Sequence, residues 1–466
     1  MRSSLESKYR LVVIFSFATL ISCRKDVETY NREELSGGKN GTVFDASKTA
    51  FLQEMPGIGP GEELDFFVGN SFFNQNWVAA PASTTARDGL GPLINARSCS
   101  ACHFKDGRGA PFVTNDDNAN GFLIRLSIPG EDEYGGPLSD PTYGGQFNDL
   151  AINQIHSEGD IEVTFEYITG SYDDGETYEL RKPIYTLTNL NYGPLSTDIL
   201  TSPRVGSQMI GLGLLEAISV EDLLANVDEN DLDGDGISGR PNYVWDFTHQ
   251  IDAIGRFGWK ANEPSIFQQV AGALVGDLGI KSSLFPNENH TTNQSDLDTL
   301  PDGGAWEIEN DDLNKLVLYS SSLAVPARRN VEDESVELGR QLFQSIDCAK
   351  CHTITFYTGN FHALNYLNRQ EIHPYTDLLL HDMGPDLADG RPDHQASGQE
   401  WRTQPLWGIG LISVVNGHTY FLHDGRARNL EEAILWHGGE AENSRNKFKA
   451  LSKAEREALI NYINSL

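Results

Sequence analysis

The sequence predicts a mainly α-helical fold with two helical units, the first enlarged by irregular loops and short β-hairpins. Two C-x-x-C-H runs, at 99–103 and 348–352, lie in different halves of the chain and indicate one unit around each. Apolar residues at helical spacing over 336–346 lead directly into the second run. Between 110 and 200 the chain is rich in Gly, Asp, Tyr and Pro, and β-like runs such as 161–165 predict hairpins there.

An export signal is predicted over residues 1–22. Basic residues precede an apolar stretch at 11–21, which is too short to span a bilayer because a spanning helix takes about 20 residues. The run LISC at 20–23 then resembles a bacterial lipobox, which implies cleavage before Cys23 and lipidation of its thiol. An ordinary signal peptide with an incidental cysteine is the alternative. No later segment is apolar enough to cross a membrane, so the acyl chains would be the only anchor.

Charge and sorting signals narrow the expected partners and location. The formal net charge of −32 excludes nucleic acid as a partner and favours basic partners or simple solubility. We expect the partner to be a redox protein or a small-molecule oxidant. Arg24 follows Cys23, which resembles an outer-membrane sorting pattern. We therefore expect a lipoprotein of the bacterial cell envelope, held by lipid on the outer membrane and facing the periplasm.

Local signals predict the other elements in order. Residues 23–60 are polar and Gly-containing and predict a lipidated tether, and 62–76 predict an amphipathic helix before the first C-x-x-C-H run. Asn429 predicts a helix start. Ser452 and Glu455 form a capping box that opens a terminal helix.

Both C-x-x-C-H runs have the attachment signature of a c-type haem. In such a site the two thiols bind the porphyrin covalently and the adjacent histidine ligates the iron. We therefore predict two covalently bound c-type haems. The residues assigned to them are Cys99, Cys102, His103, Cys348, Cys351 and His352. Disulfides or zinc are the alternatives, but the second C-x-x-C of a zinc ribbon usually lies within about 15–20 residues of the first.

Several runs resemble a known enzyme family. Those at 421–427 and 429–434 are similar to the F-x-H-D-G-R-A and L-E-E-A motifs of bacterial di-haem cytochrome c peroxidases. The runs that resemble the related di-haem oxidoreductase family, whose members are named peroxidases or thiol oxidoreductases, are 96–98, 211–218, 255–261, 379–387 and 436–440. The resemblance covers about residues 60–466.

The resemblance implies a domain plan and a function. The helix, C-x-x-C-H run, loops and terminal helix of 326–466 resemble a cytochrome c domain, and we expect a second cytochrome-c-like haem domain with insertions at 61–325. An oxidoreductase is implied in which one haem relays electrons and the other acts on peroxide or a thiol-type substrate. A non-catalytic electron-transfer cytochrome lipoprotein and a haem-binding sensor are the alternatives.

The sixth ligand of each iron separates these functions, because a six-coordinate iron transfers electrons whereas an open one can bind a substrate. His437 occupies the position at which the peroxidase relatives have a distal Met ligand, so the resemblance assigns it to the second haem. A histidine that caps a helix C-terminus is the alternative. Met383 ranks second, because the run at 384–387 resembles a loop whose carbonyl accepts from the proximal histidine in small cytochromes c.

The first haem lacks an evident distal ligand. No His or Met follows His103 before His156, which suggests an open or weakly ligated iron. Met209 is the alternative ligand, or else a core methionine. The resemblance assigns Glu216 the acid–base role that a glutamate fills in the relatives, and a helix-surface glutamate is the alternative.

Two weaker patterns complete the expectations. Asp231, Asp233 and Asp235 match the start of a calcium-binding loop, although the glutamate that would complete an EF-hand is Asn242 here. A different calcium loop and a plain acidic turn both remain open, and the relatives often hold Ca²⁺ between their haem domains. A faint internal repeat relates residues 209–215 to 406–412.

Overall fold

Short strand pairs make the fold mixed rather than mainly α-helical. The computed structural model describes residues 32–115 and 120–466, and 30% of these residues are helical and 19% are in strands. No cytochrome-c-like domains are evident in these residues. The prediction of a mainly α-helical fold with two cytochrome-c-like haem domains is therefore wrong. Apolar residues at helical spacing occupy only a few segments, and long stretches between them pair locally as short strands.

The helices are mostly short, and several are single turns. They are α1 (Gly38–Gly41), α2 (Pro60–Asn74), α3 (Cys99–Cys102), α4 (Leu212–Glu216), α5 (Val220–Leu224), α6 (Ile266–Leu278), α7 (Asn310–Ser321), α8 (Glu334–Ser345), α9 (Ile412–Val415), α10 (Leu430–Leu435), α11 (Glu442–Ala450) and α12 (Lys453–Ser465). The predicted caps of the last helices are present, since Asn429 accepts from the Glu432 amide and Ser452 accepts from the Glu455 amide.

The strands form small, separate sheets. They are β1 (Thr42–Val43), β2 (Leu93–Ile94), β3 (Phe122–Ser127), β4 (Gln146–Phe147), β5 (Leu150–Ala151), β6 (Asp160–Ser171), β7 (Thr177–Thr188), β8 (Leu200–Val205), β9 (Tyr243–Asp246), β10 (Ile251–Ile254), β11 (Val325–Pro326), β12 (Phe356–Tyr357), β13 (Glu371–Ile372), β14 (Leu380–Asp382) and β15 (Glu400–Arg402). One sheet has the order β4-β3-β8, and the others pair β1 with β11, β2 with β5, β6 with β7, β9 with β10, β12 with β13 and β14 with β15. The predicted run at 161–165 lies in the long β6–β7 hairpin.

Two helix pairs, α2 with α7 and α8 with α12, lie behind the two C-x-x-C-H runs. Each pair crosses at a glycine, because a methyl group at Gly69 would overlap the carbonyl oxygen of Lys315 and one at Gly339 would overlap that of Ala458. Close packing of helix backbones needs such a small residue. The two pairs therefore have the same construction.

The predicted internal repeat continues this correspondence. Gly211 and Gly408 have φ angles of 73° and 72°. Gly211 precedes α4, and Gly408 precedes a short 3₁₀ helix, Ile409–Leu411. Each helix then packs against the last turn of its pair, near Ser321 in one half and Asn464 in the other. Residues 209–215 and 406–412 are thus equivalent in position as well as in sequence.

The main apolar core runs through both halves, from Ala50 to Leu466. The last part of the segment predicted as a tether lies in this core, because Phe51 and Met55 are fully buried, and β1 pairs with β11. That part of the tether prediction is wrong, and the cause is the burial of apolar side chains within a mostly polar segment. The boundary between 325 and 326 stays a prediction.

The structure does not bear on the export signal or the anchor. Residues 1–22, Cys23 and Arg24 lie outside the described residues. Within the described part of the chain, none of the helices has the length and apolar character needed to cross a membrane.

Candidate haem sites

Each C-x-x-C-H run folds into one helical turn. The amide of His103 donates to Cys99 O at 2.9 Å, and the amide of His352 donates to Cys348 O at 3.0 Å. A single turn places the two thiols and the imidazole of each run on one side. All four thiols of these runs are free, so none is used in a disulfide.

Each run faces its own cavity. The first cavity is lined by Cys99, Cys102 and His103, and its wall is mainly apolar. The second cavity has the same character and contains the thiols and imidazole of the second run. The apolar walls and the free thiols of the two cavities fit a haem in each.

The proximal imidazoles are oriented as metal ligands. Nδ1 of His103 donates to Ser207 O at 2.7 Å, and Nδ1 of His352 donates to Tyr375 O at 2.9 Å. Burial lowers the pKa of both imidazoles, that of His352 to about 4, so both are neutral. A neutral imidazole with Nδ1 bound to a carbonyl leaves the Nε2 lone pair for a metal. The acceptor for His352 is Tyr375, and not the loop at 384–387 as predicted.

His437 lies in the second cavity together with His352. Its Nδ1 donates to Ala433 O at 2.7 Å, one turn back in the chain, and burial lowers its pKa. His437 therefore has the tautomer and charge state of a ligand rather than of a helix-capping cation. Met383 lines the same cavity.

Two further histidines of the second cavity were missed as site residues. His381 is buried between carboxylates, with Nδ1 2.7 Å from Glu440 and Nε2 2.8 Å from Asp377. Burial alone would lower its pKa, but Cys351 and Asp377 raise it well above the usual value. His381 lies in the run at 379–387, so the resemblance of that run to the family could have identified it as a site residue.

His423, from the H-D-G run, stacks on Trp401 with a centroid distance of 3.8 Å. Burial lowers its pKa to about 3, so the imidazole is neutral. It lies 6.5 Å, centroid to centroid, from the ring of Trp259. The second cavity is thus lined by four histidines, counting His352, His381, His423 and His437.

The first cavity is different, since His103 is the single histidine among its described lining residues. Polar lining groups include Arg125, Asn262 and Gln269, and Asn262 Oδ1 is buried without a partner. Met209 also lines this cavity, at the position of the repeat that Leu406 holds in the second.

Glu216 does not line the first cavity. Its carboxylate accepts from the Ile266 amide at 2.8 Å and lies 3.2 Å from Nε2 of His362. The structure therefore gives no support to the predicted acid–base role. Its oxygens hold the start of α6 instead, a long-range contact that the helical pattern around 211–218 does not reveal.

The acidic loop differs in composition from the prediction. Carboxylate oxygens of Asp228, Asp231 and Asp233 come within 4.8 Å of one another. Asp235 instead binds Lys350 Nζ at 2.7 Å, inside the second C-x-x-C-H run. Asp235 thus points toward the second C-x-x-C-H run, and the acidic cluster consists of Asp228, Asp231 and Asp233. Calcium binding stays a prediction.

A common wall separates the two cavities. The residues that line both are Gln208, Trp259, Arg402, Gln404 and Pro405. Two groups bound in these cavities would therefore be neighbours, which electron transfer between them requires.

Two mainly apolar cavities, each lined by two thiols and a neutral histidine, indicate a class, the haem oxidoreductases. A family model described as "Di-haem oxidoreductase, putative peroxidase" matches residues 30–466. The chain belongs to the di-haem oxidoreductase family, which confirms the resemblance and makes it a peroxidase-like, haem-dependent enzyme. No curated protein matches the chain.

The solved structures that resemble the chain include the hydrazine synthase of Kuenenia stuttgartiensis, pressurised with xenon. It has 12% sequence identity, covers 99% of this chain and 100% of its own, and has a TM-score of 0.36. A similarity this low does not support an argument about fold or function.

Proposed function

We propose that both haems are covalently attached and functionally unequal. Cys99 and Cys102 would attach the first haem, with His103 as its proximal ligand. The other attachment residues and ligands would be Cys348, Cys351, His352 and His437. When bound, the haems would supply electron transfer at the second site and reduction of peroxide, or reaction with a thiol-type substrate, at the first.

The observation that carries this proposal is the unequal lining of the cavities. The second offers His437 in the same cavity as the attachment run, in the neutral form that ligation needs. The first offers no second histidine among its described lining residues. Its polar side chains, Asn262, Gln269 and Arg125, can instead hydrogen-bond a small oxygen-containing molecule, while apolar neighbours exclude water.

The shared wall supports division of labour between the sites. Trp259 lines both cavities and is fixed by its indole N–H, which donates to Val205 O at 2.8 Å. The guanidinium of Arg108 lies 5.1 Å from the same ring. A rigid aromatic side chain in the common wall separates the two cavities by the thickness of one packed residue.

Spectroscopy of the purified ferric protein tests the proposal. We expect one low-spin and one high-spin EPR signal, and an optical change with peroxide or cyanide at the high-spin iron. In His437→Ala the low-spin signal should be lost while the haem content stays constant. Two low-spin signals without peroxide or cyanide reactivity would rule out the enzymatic assignment of the first site.

A non-catalytic electron carrier is the second candidate, and the position of Met209 favours it. A thioether in the first cavity could complete a six-coordinate iron. Met209→Ala distinguishes the two functions. For a carrier, the variant gains a high-spin signal that the native protein lacks. For the proposed enzyme, the native protein already has that signal and the variant retains it.

We also propose attachment to the bacterial cell envelope through lipid on Cys23, on the outer membrane facing the periplasm. The sequence signals at 1–24 support this location, and the net charge of −32 supports a basic redox partner protein. Metabolic labelling with a fatty acid, compared between native protein and Cys23→Ser, tests it. Equal labelling, or equal release from membranes, contradicts lipidation at this residue.

A further inference from the structure

The wall between the cavities contains a buried cation without a counter-ion. Arg402 is only 6% exposed, and no carboxylate of the described residues forms an ion pair with it. Burial lowers the pKa of Arg402, and the nearby Asp377 carboxylate opposes this shift electrostatically, but it is hydrogen-bonded to Nε2 of His381 at 2.8 Å. A buried charge is costly unless it is paired, so an anion is expected here.

Hydrogen bonds hold the guanidinium in one orientation. Nε of Arg402 donates to Gly258 O at 2.8 Å, and Nη2 donates to Oε1 of Gln404 at 2.7 Å. The strand that carries Arg402, β15, is itself paired with β14. The orientation of the guanidinium is therefore fixed before any ligand binds, through its Nε and Nη2 atoms.

Two donors of this pair are left over. Nη1 of Arg402 and Nε2 of Gln404 are buried and have no hydrogen-bond partner. Both residues line both cavities. A guanidinium with a free N–H, beside an amide with another, can bind a carboxylate through charge-assisted hydrogen bonds.

We propose that Arg402 and Gln404 bind a propionate carboxylate of a haem at the wall between the two cavities. This assignment rests on haem binding in these cavities, but not on which iron is open. A haem carries its propionate carboxylates at its periphery, and Arg402 offers them a buried cation that no carboxylate of the described residues pairs with. Arg402 would thereby act as a positioning residue for the cofactor.

A free carboxylate, such as a small acid entering the cavity, would have the same chemistry. The experiment therefore compares native holoprotein with Arg402→Leu, Arg402→Lys and Gln404→Leu. Resonance Raman bands of the propionates and midpoint potentials from spectroelectrochemistry are recorded for each. The optical response to added formate is measured as a separate arm.

For a propionate, Arg402→Leu and Gln404→Leu shift the propionate bands. Loss of the cation also lowers the midpoint potential of the affected haem, because the ferric form is no longer disfavoured by a nearby positive charge. Arg402→Lys keeps the charge and should retain most of the potential while still shifting the bands. Gln404→Leu carries the test if Arg402→Leu does not fold.

Arg256→Leu is the matched control. Arg256 is also buried and donates to carbonyl oxygens, those of Leu215 and Ile218, but it lines neither cavity. It should lose stability without changing the propionate bands. Unchanged bands and potentials in folded Gln404→Leu and Arg402→Lys would overturn the proposal. So would a formate response that disappears in those variants while the bands stay constant.

Discussion

The two halves of the molecule use the same helix pair to build two different cavities. In the first half Phe73 of α2 lies 6.3 Å from His103 and 5.1 Å from Tyr319 of α7, between ring centroids. In the second half Phe343 of α8 lies 6.2 Å from His352 and 5.4 Å from Tyr462. The support behind the proximal histidine is thus nearly identical in both.

The two cavities differ in the side chains that other segments of the chain contribute to them. The hydroxyl of Tyr319 donates to buried Asp106 at 2.8 Å, whereas that of Tyr462 donates to Tyr375 at 3.0 Å. Segment 379–440 supplies three further histidines to the second cavity, and its counterpart in the first half supplies none among the described lining residues. A repeated scaffold can therefore hold two cofactors, while its surroundings decide what each does.

Removing the attachment thiols of one half should have the largest effect. If the haems are attached as proposed, Cys348→Ala with Cys351→Ala should reduce the haem content from two to one and remove the low-spin EPR signal, because no thioether bond would then retain the second haem. The pyridine haemochrome assay and EPR measure both. Cys99→Ala with Cys102→Ala is the matched variant and should remove the high-spin signal instead. If each pair of substitutions removed both signals, the halves would not be separable.

Breaking the ion pairs that join the two halves at Asp393 should have the next largest effect, a loss of stability. Arg204, which lines the first cavity, and Arg391 bind Asp393 at 2.9 and 3.0 Å. Asp393→Asn leaves two buried guanidinium groups unpaired and should cost about 3–5 kcal/mol of unfolding free energy at neutral pH. Chemical denaturation measures this loss. Asp311→Asn, in a surface pair with Lys315, is the control and should change little.

This loss should depend on pH. Burial alone would raise the pKa of Asp393, but Arg391 and Arg204 hold it well below the usual range. Because the folded pKa is below the unfolded value of about 3.9, the stabilisation is present above about pH 4 and is lost as pH falls through the folded pKa. The difference between native protein and Asp393→Asn should therefore shrink below pH 4. A constant difference from pH 7 to pH 3 would contradict this.

The glycine crossings test how similar the two helix pairs are. Gly69→Ala and Gly339→Ala each place a methyl group against a backbone carbonyl and should each destabilise by about 1–3 kcal/mol. Denaturant unfolding measures both. Gly61→Ala, at the start of α2 with open space around it, should stabilise slightly. A large loss from only one of the two crossings would show that the pairs are not equivalent.

The smallest loss of stability is expected at the contact between the β6–β7 hairpin of the first half and α12 of the second half. The tip of the β6–β7 hairpin contacts Arg456 of α12, whose guanidinium lies 3.8 Å from the centroid of Tyr172. Arg456→Leu should cost about 1 kcal/mol, because a cation–π contact and partly exposed ion pairs contribute little. Faster hydrogen exchange in 160–188 would report it. Glu166→Gln, on an exposed face of the hairpin, is the control.

Patterns that act over a few residues were predicted well from the sequence. The helix expected at 62–76 is α2, the helical spacing over 336–346 is α8, and the caps at Asn429 and Ser452 are present. These elements depend on contacts between residues three or four apart, which a single sequence displays directly. The fold class was wrong because the intervening stretches contain weak, local strand pairs that no helical period reveals.

By itself, the sequence determined the two C-x-x-C-H runs and the family, and it predicted a proximal histidine in each run. Only the tertiary structure decided that His437 shares a cavity with His352, that Glu216 holds α6, and that Asp228 replaces Asp235 in the acidic cluster. It also brought Arg402 and Gln404 to the wall between the cavities. The physical reason is distance along the chain: burial, unpaired donors and shared walls arise between segments up to hundreds of residues apart, and local sequence patterns do not encode them.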